Sequence, residues 1–269
     1  MGADIKSLRT RIKSVRSTLQ LTSAMGLVAS SKIRKAQINF RNSKEYADSV
    51  SSIVDVLTSS RECEKSPYMS SKGEKIKLVV IAGDRGLAGG YNANIFRYLR
   101  DYPDAELCPI GKKSCERFGD EIYSSEFFSY SDTLSLSKSL CEEFKEGKYA
   151  KIGVLYTKYK SMISQIPDIK WILPLSKSEK QTQGGAIFEP DELTMLDRAV
   201  PTYVAGLIYS CVKEGFLCEV ISRRNAMDSA GKNATAMIDE LQLKYNRARQ
   251  GTITQEITEI VAGSGDGEA

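Results

Sequence analysis

The chain contains no histidine in 269 residues. That absence excludes Ser-His-Asp and Cys-His nucleophiles, His-liganded zinc and two-His iron before any motif is sought. No apolar run approaches the roughly 18 residues that span a bilayer. The N-terminal MGADIKSLRT lacks the apolar stretch of a secretory signal, and Lys6 stands where myristoylation wants Ser or Thr. A cytoplasmic protein of bacterial type is expected. Six cysteines (63, 108, 115, 141, 211 and 218) make no C-x-x-C pair, so reduced thiols packed as small hydrophobes are expected. Cys211 and Cys218, seven apart, fall on one helical face. Proline is scarce and unevenly spread, with none between Asp4 and Leu57.

What is present has an ordinary globular balance, 41% hydrophobic and 27% charged, in a chain long enough for about two domains at roughly 150 residues each. The net charge of +4 hides an asymmetry. Through Lys44 there are ten Lys and Arg against the single acid Asp4; the remainder carries 28 basic and 33 acidic residues. The basic residues share a helix with an apolar seam, few aromatics interleave them, and no nucleic-acid motif appears. They fit a solvated helix face or contact with an acidic protein surface better than nucleic acid.

The seam repeats at alternating steps of three and four: Ile5, Leu8, Ile12, Val15, Leu19, Thr22, Gly26, Ala29, Ile33, Ala36, Phe40, Ser43, Ala47, Val50, Val54 and Leu57. That is a heptad pattern, predicting one helix of roughly 80 Å at 1.5 Å per residue. Arg61 to Glu74 reads as a surface linker. A buried-strand pattern from Lys75 to Arg85 then leads through a glycine-rich turn into a helix from about Asn92 to Arg100. Further units follow: a strand at Glu106–Ile110, a helix at Lys112–Phe118, a weak strand near Phe127, a helix at Thr133–Phe144, and strands at Ile152–Lys158 and Ile169–Ser176. This alternation predicts a small α/β layer with a largely parallel sheet. After the polar stretch Lys177–Gly185, acids and a proline at residues 189–192 open a second long helix, which Pro201 is expected to kink or restart. Its seam is read as Val204, Leu207, Cys211, Val220, Met227, Ala230, Ala234, Met237, Leu241, Tyr245 and Ala248. Two such helices bury their stripes most simply against each other as an antiparallel coiled coil, with the α/β domain inserted between them. The predicted segments are 1–60, 75–176 and 190–262, and the tail from Gly263 is expected to fray.

Chemistry-bearing motifs are weak. The loop Gly83–Gly90 follows a strand and precedes a helix, as a phosphate site does, but it matches neither G-x-x-x-x-G-K-[ST] nor G-x-G-x-x-G. A structural turn whose Asp84 and Arg85 meet a partner is the better reading. Glu142/Glu143 and Asp239/Glu240 read as solvated helix faces, and Trp171 as core.

Three segments carry more than pattern. LTSAMGLVASSKIRKAQ (Leu21–Gln37), DRGLAGGYNANIF (Asp84–Phe96) and RRNAMDSAGKNATAMIDELQLKYNRARQGTITQEITEIVAG (Arg223–Gly263) closely resemble, in order and across the whole chain, the gamma subunits of F-type ATP synthases. The resemblance implies an α/β fold, with a long antiparallel coiled coil of the N- and C-terminal helices and an inserted Rossmann-like α/β domain. It implies a central-stalk rotor, itself non-catalytic and without cofactor or metal, coupling ion-driven rotation of the membrane c ring to ATP synthesis or hydrolysis in the alpha/beta ring. The implied partners are the alpha and beta subunits, epsilon and the c ring, with no nucleic acid; the implied location is peripheral, on the cytoplasmic side of the plasma membrane. Carried over by motif, Met25, Lys32, Arg34, Lys35, Arg249, Gln250, Thr254, Gln255, Glu256, Thr258 and Glu259 match positions that meet the alpha/beta ring. Glu189 matches a foot carboxylate near the c ring. Gly26 departs from the family, which commonly has Glu there, and the linker, middle domain and acidic tail diverge most.

Overall fold

A computed structural model describes residues 2–119, 123–178 and 188–265. The element order is α1 (Gly2–Thr58), β1 (Lys75–Ile81), α2 (Tyr91–Tyr98), β2 (Glu106–Ile110), α3 (Lys112–Phe118), α4 (Tyr130–Lys145), β3 (Tyr149–Tyr159), β4 (Gln165–Leu173) and α5 (Glu192–Gly265), with short 3-10 turns at Glu62–Lys65 and Leu99–Asp101. The chain divides into two compact units, residues 1–28 with 224–269 and residues 29–223.

In the first unit, the early part of α1 lies antiparallel to the late part of α5. A Cβ placed on Gly26 would stand 3.7 Å from Met227 Cβ, and one on Gly231 would stand 3.7 Å from Leu19 Cδ1; farther out, Arg16 donates to Gln242 Oε1 at 3.4 Å. Falling numbers on one helix therefore meet rising numbers on the other. Ile5, Leu8, Ile12, Val15, Leu19, Thr22 and Gly26 are the buried or half-buried positions of this stretch, joined by Met25, while the other positions from Asp4 to Val28 are exposed. The three-four spacing thus fixes which face is covered. On α5 the matching face runs Met227, Gly231, Ala234, Ile238, Leu241, Tyr245 and Ala248. Met237, expected in this seam, is 44% exposed and Ile238 takes its place, because a step of four after Ala234 keeps the stripe aligned where a step of three rotates off it.

The second unit is built on a four-stranded sheet in the order β2-β1-β3-β4. β1 runs parallel to β2 and β3, while β4 returns antiparallel to β3 through a hairpin. β1 ends in four consecutive buried residues, Leu78 to Ile81, as a strand covered on both faces must. Its alternation divides them. Val79 and Ile81 join a cluster with Leu140, Cys141 and Phe144 of α4 and Val200, Val204 and Ile208 of α5. Leu78 and Val80 join Tyr91 and Ile95 of α2 and Cys218 of α5. Farther along, Ala29, Ile33 and Ala36 of α1 pack with Leu217, Val220 and Ile221 of α5. Five cysteines are buried free thiols and Cys108 is half-buried.

Several expectations are corrected. No strand forms near Phe127, which is 78% exposed in the turn before α4. There Ser129 caps α4 in a capping box with Asp132, so the local hydrogen bonds serve a helix start instead of a ladder. Trp171 is 41% exposed, not core: it lies on the edge strand β4, its ring edge-on to Tyr102 and beneath the Lys151 ammonium. Pro201 lies inside α5 without restarting it; its neighbours Val200 and Val204 are fully buried, and burial of that order offsets the roughly 3 kcal/mol a mid-helix proline costs. Glu143 is no solvated carboxylate, since it accepts from Lys77 Nζ at 2.7 Å. The start of α5 follows the expected signal: Asp191 Oδ1 accepts from Thr194 N at 2.7 Å, the bond of a helix N-cap. α5 remains helical through Gly265, so the tail is helical for its first three residues. The stretch 179–187 and residues 266–269 lie outside the described residues.

Candidate functional site

The loop between β1 and α2, the best phosphate candidate in the sequence, is closed by the chain itself. Gly83 N donates to Asn92 Oδ1 at 2.9 Å, and Asp84 N to Glu219 Oε2 at 3.4 Å. At the start of α2, Tyr91 N and Asn94 N donate to Ala88 O and Gly90 O. Four backbone donors around the turn, those of Gly83, Asp84, Tyr91 and Asn94, are thus engaged within the chain and not turned toward an anion. Gly83 is required by proximity, because a Cβ there would stand 2.7 Å from Glu219 Cδ.

The acids around the loop make it still less hospitable to anions. Asp84 accepts from Ser124 Oγ at 2.6 Å, Ser125 N at 2.8 Å, Glu126 N at 3.0 Å and Lys112 N at 3.1 Å. Burial pushes its carboxyl up, but these bonds together outweigh burial and hold it below the usual range. Asp84 therefore organises its own chain, while Arg85 beside it keeps a side chain 65% exposed. Glu219, 2% exposed on its side chain, receives Arg223 at 2.5 Å; burial raises its pKa despite that guanidinium. Arg223 also donates to the carbonyls of Arg85 and Gly86. Glu126 completes the network by accepting Lys32 Nζ at 2.6 Å, with Arg85 at 3.8 Å. The outcome is a polar knot joining α1, the loop, the segment before α4 and α5.

The positions carried over by resemblance divide between the units. In the first, Met25 is half-buried at the edge of the seam, and Arg249, Gln250, Thr254, Gln255, Glu256, Thr258 and Glu259 are all exposed on α5. Their side chains bond along the helix, as Gln255 Nε2 does to Glu259 Oε1 at 2.9 Å and Thr258 Oγ1 to Thr254 O at 2.8 Å. In the second unit, Arg34 and Lys35 are exposed, whereas Lys32 is engaged by Glu126. Glu189 is exposed just ahead of α5, beside Phe188, which packs on the main core.

Sequence reasoning passed over one feature. Ile253, Ile257, Ile260 and Val261 are 45, 55, 70 and 63% exposed. Their steps put them along one side of α5, interleaved with the polar positions just named. Carried outward at the register of Arg16 with Gln242, Gly2 falls opposite residue 256, and among the described residues none of α1 lies beside α5 beyond that point. The signal was available as the three-four spacing of Ile253, Ile257 and Ile260 in the last turns of α5. Clustered exposed aliphatics of this kind mark a surface for another molecule.

Among the described residues no helix is long and apolar enough to cross a membrane, and no cluster of His, Cys, Asp and Glu could hold a metal ion. A family model described as ATP synthase matches residues 4–265. The ATP synthase gamma chain of Mycoplasma mobile is 38% identical, covering 97% of this chain and 98% of its own length. That of Ruminococcus albus is 37% identical over the same shares. The fold is similar to a chain of the Euglena gracilis mitochondrial ATP synthase solved with OSCP, F1 and c-ring, at TM-score 0.69 and 18% identity, covering 99% of this chain and 95% of that one. It is also similar to one in the Tetrahymena thermophila mitochondrial central stalk and c-ring, at TM-score 0.60 and 21% identity over 78% and 99%. Matched by the family model and by relatives of its own length, the chain belongs to the gamma-chain family of ATP synthases.

Proposed function

We propose that this chain is the non-catalytic rotor of a bacterial ATP synthase, coupling rotation of a membrane c ring to the nucleotide sites of an alpha/beta ring. The observation that carries the reading is the bare end of α5, where exposed aliphatics alternate with Arg249, Gln250, Thr254, Gln255, Glu256, Thr258 and Glu259. A soluble chain gains nothing by presenting Ile257 and Ile260 to water, so a sleeve of partner side chains is the natural occupant. In this reading the tip seats in the alpha/beta ring, Met25, Arg34 and Lys35 meet acidic segments of that ring, and Lys32 serves it through its pairing with Glu126. Residues 75–176 form the foot, with Glu189 toward the c ring and epsilon alongside. The complex is peripheral on the cytoplasmic face of the plasma membrane.

The mechanism requires asymmetry, and two helices supply it. A ring of three equal sites has threefold symmetry, whereas a pair of dissimilar helices has none. At any angle the three sites therefore meet different side chains. Each contact favours one conformation of its subunit only to the extent that it binds that conformation better, and turning the shaft passes that bias from one site to the next. The bonds of ATP are made and broken in the partners.

Co-expression tests the assignment. The organism's alpha and beta subunits, purified with and without this chain, are expected to form a stable, ATP-hydrolysing complex that retains it. A chain that neither co-purifies nor changes the hydrolysis rate refutes the proposal.

A further inference from the structure

Most buried charge in the second unit is neutralised within the chain. The Asp84–Glu219 knot closes on itself, and the cavity of about 550 Å³ beside Trp171 sets Lys44, Lys158 and Lys170 against Asp48, Asp168 and Glu214. A second cavity, about 480 Å³, differs: Asn39, Asn42 and Tyr46 of α1, Tyr130 of α4, and Tyr209 and Lys213 of α5 line it, with no acid among them. Lys213 Nζ donates to Phe128 O at 2.9 Å and sits 4.7 Å from the centroid of the Tyr209 ring. No carboxylate among the described residues pairs with it, and burial alone lowers its pKa. A carbonyl and a π face offset part of the cost of removing an ammonium from water, but they leave its charge uncompensated.

The rest of the cavity is an aromatic corner. Tyr209 meets Tyr130 edge-on with centroids 5.7 Å apart, and Tyr130 meets Tyr46 in the same way at 5.6 Å. The Tyr46 and Tyr130 hydroxyls are 2.9 Å apart, so the rings hold one another in place. Asn39 and Asn42 stand exposed at the mouth. The volume is within the range of small-molecule sites, roughly 300–1,000 Å³, and the composition is theirs too, aromatic walls with a few converging polar groups.

We propose that this cavity binds a small aryl carboxylate, its carboxylate paired with Lys213 and its ring held by Tyr46, Tyr130 and Tyr209. The carboxylate supplies the missing counter-charge, and a flat ring uses the tyrosine edges and faces that a compact inorganic anion leaves untouched. The site goes beyond the rotor reading and does not depend on it.

Calorimetric titration of the full chain with 2-naphthoate is the test. Saturable binding at one site per chain is expected, weakened about tenfold or more by Lys213→Met, in keeping with loss of a charged hydrogen bond, and retained within a few-fold by Lys213→Arg. The neutral 2-naphthamide and inorganic phosphate should each bind at least about tenfold more weakly than 2-naphthoate. Asn42→Trp, at an exposed position, should block the mouth and abolish binding while leaving Lys213 intact, which keeps the test decisive if the Lys213 variants fail to fold. Absence of saturable binding, equal binding of the amide or of phosphate, or undiminished binding to Lys213→Met or Asn42→Trp overturns the proposal.

Discussion

Gly26 puts a residue of low helix propensity in the middle of a seam that runs the length of α1. The space beside it is open enough for one carbon more, since a Cβ there meets Met227 Cβ at 3.7 Å, ordinary contact. Gly26→Ala is therefore expected to stabilise the helix pair by about 1 kcal/mol, visible as slower amide hydrogen exchange in α1 residues near position 26. Its neighbour Met25 is half-buried at the seam's edge. Met25→Lys puts a positive charge at that edge, and under the rotor reading it should lower the ions pumped per ATP hydrolysed; unchanged pumping would remove Met25 from the coupling contacts. Glu219 gives a pH signature. Its folded pKa lies above its unfolded value of ~4.3, so the folded state holds a proton that the unfolded state releases, and stability falls as pH rises from the unfolded value toward the folded one. Glu219→Gln removes that loss, and its stability relative to the natural chain, measured by denaturant unfolding, should grow across the same window. Asp84 acts in the opposite sense and lower range: its folded pKa is depressed, and its contribution disappears as pH falls through that value.

At the scale of elements, periodicity was the legible part. The α1 seam from Ile5 to Leu57 is buried or half-buried at every position the three-four spacing selects, because a helix covered along one stripe leaves its mark in sequence. Strands β1 and β2 and helix α3 were similarly readable from continuous apolar runs and glycine boundaries. What was not legible depended on tertiary neighbours. The position of β4 at the sheet edge exposes Trp171, the packing around Val200 and Val204 tolerates Pro201, and Glu143 meets Lys77 from another element. The closure of the Gly83 loop likewise rests on Glu219, 136 positions away in the chain. Carry-over by motif names polar residues of the α5 end and passes over the exposed aliphatics among them. Deleting residues 254–269 should leave the thermal unfolding of the α/β unit unchanged, since none of that segment lies within it, while weakening retention of the chain by the alpha/beta ring. A fully retained and fully coupled truncation would show that the tip is dispensable.

The whole molecule carries two kinds of order. Residues 29–223 enclose a sheet covered on both faces, with most buried charge paired inside the unit and Lys213 the exception among the described residues; residues 1–28 and 224–269 form a helix pair whose outer end exposes Ile253, Ile257, Ile260 and Val261. The central claim is that this chain turns inside an alpha/beta ring, and single-molecule rotation tests it most directly. A label on Ile163→Cys, at the tip of the β3–β4 hairpin and 91% exposed, is favoured over the five buried thiols, and Cys108→Ser removes the half-buried sixth. With the ring anchored and ATP supplied, the account predicts one-way rotation with three pauses per turn. ATP hydrolysis by the same complexes with the label stationary would contradict it.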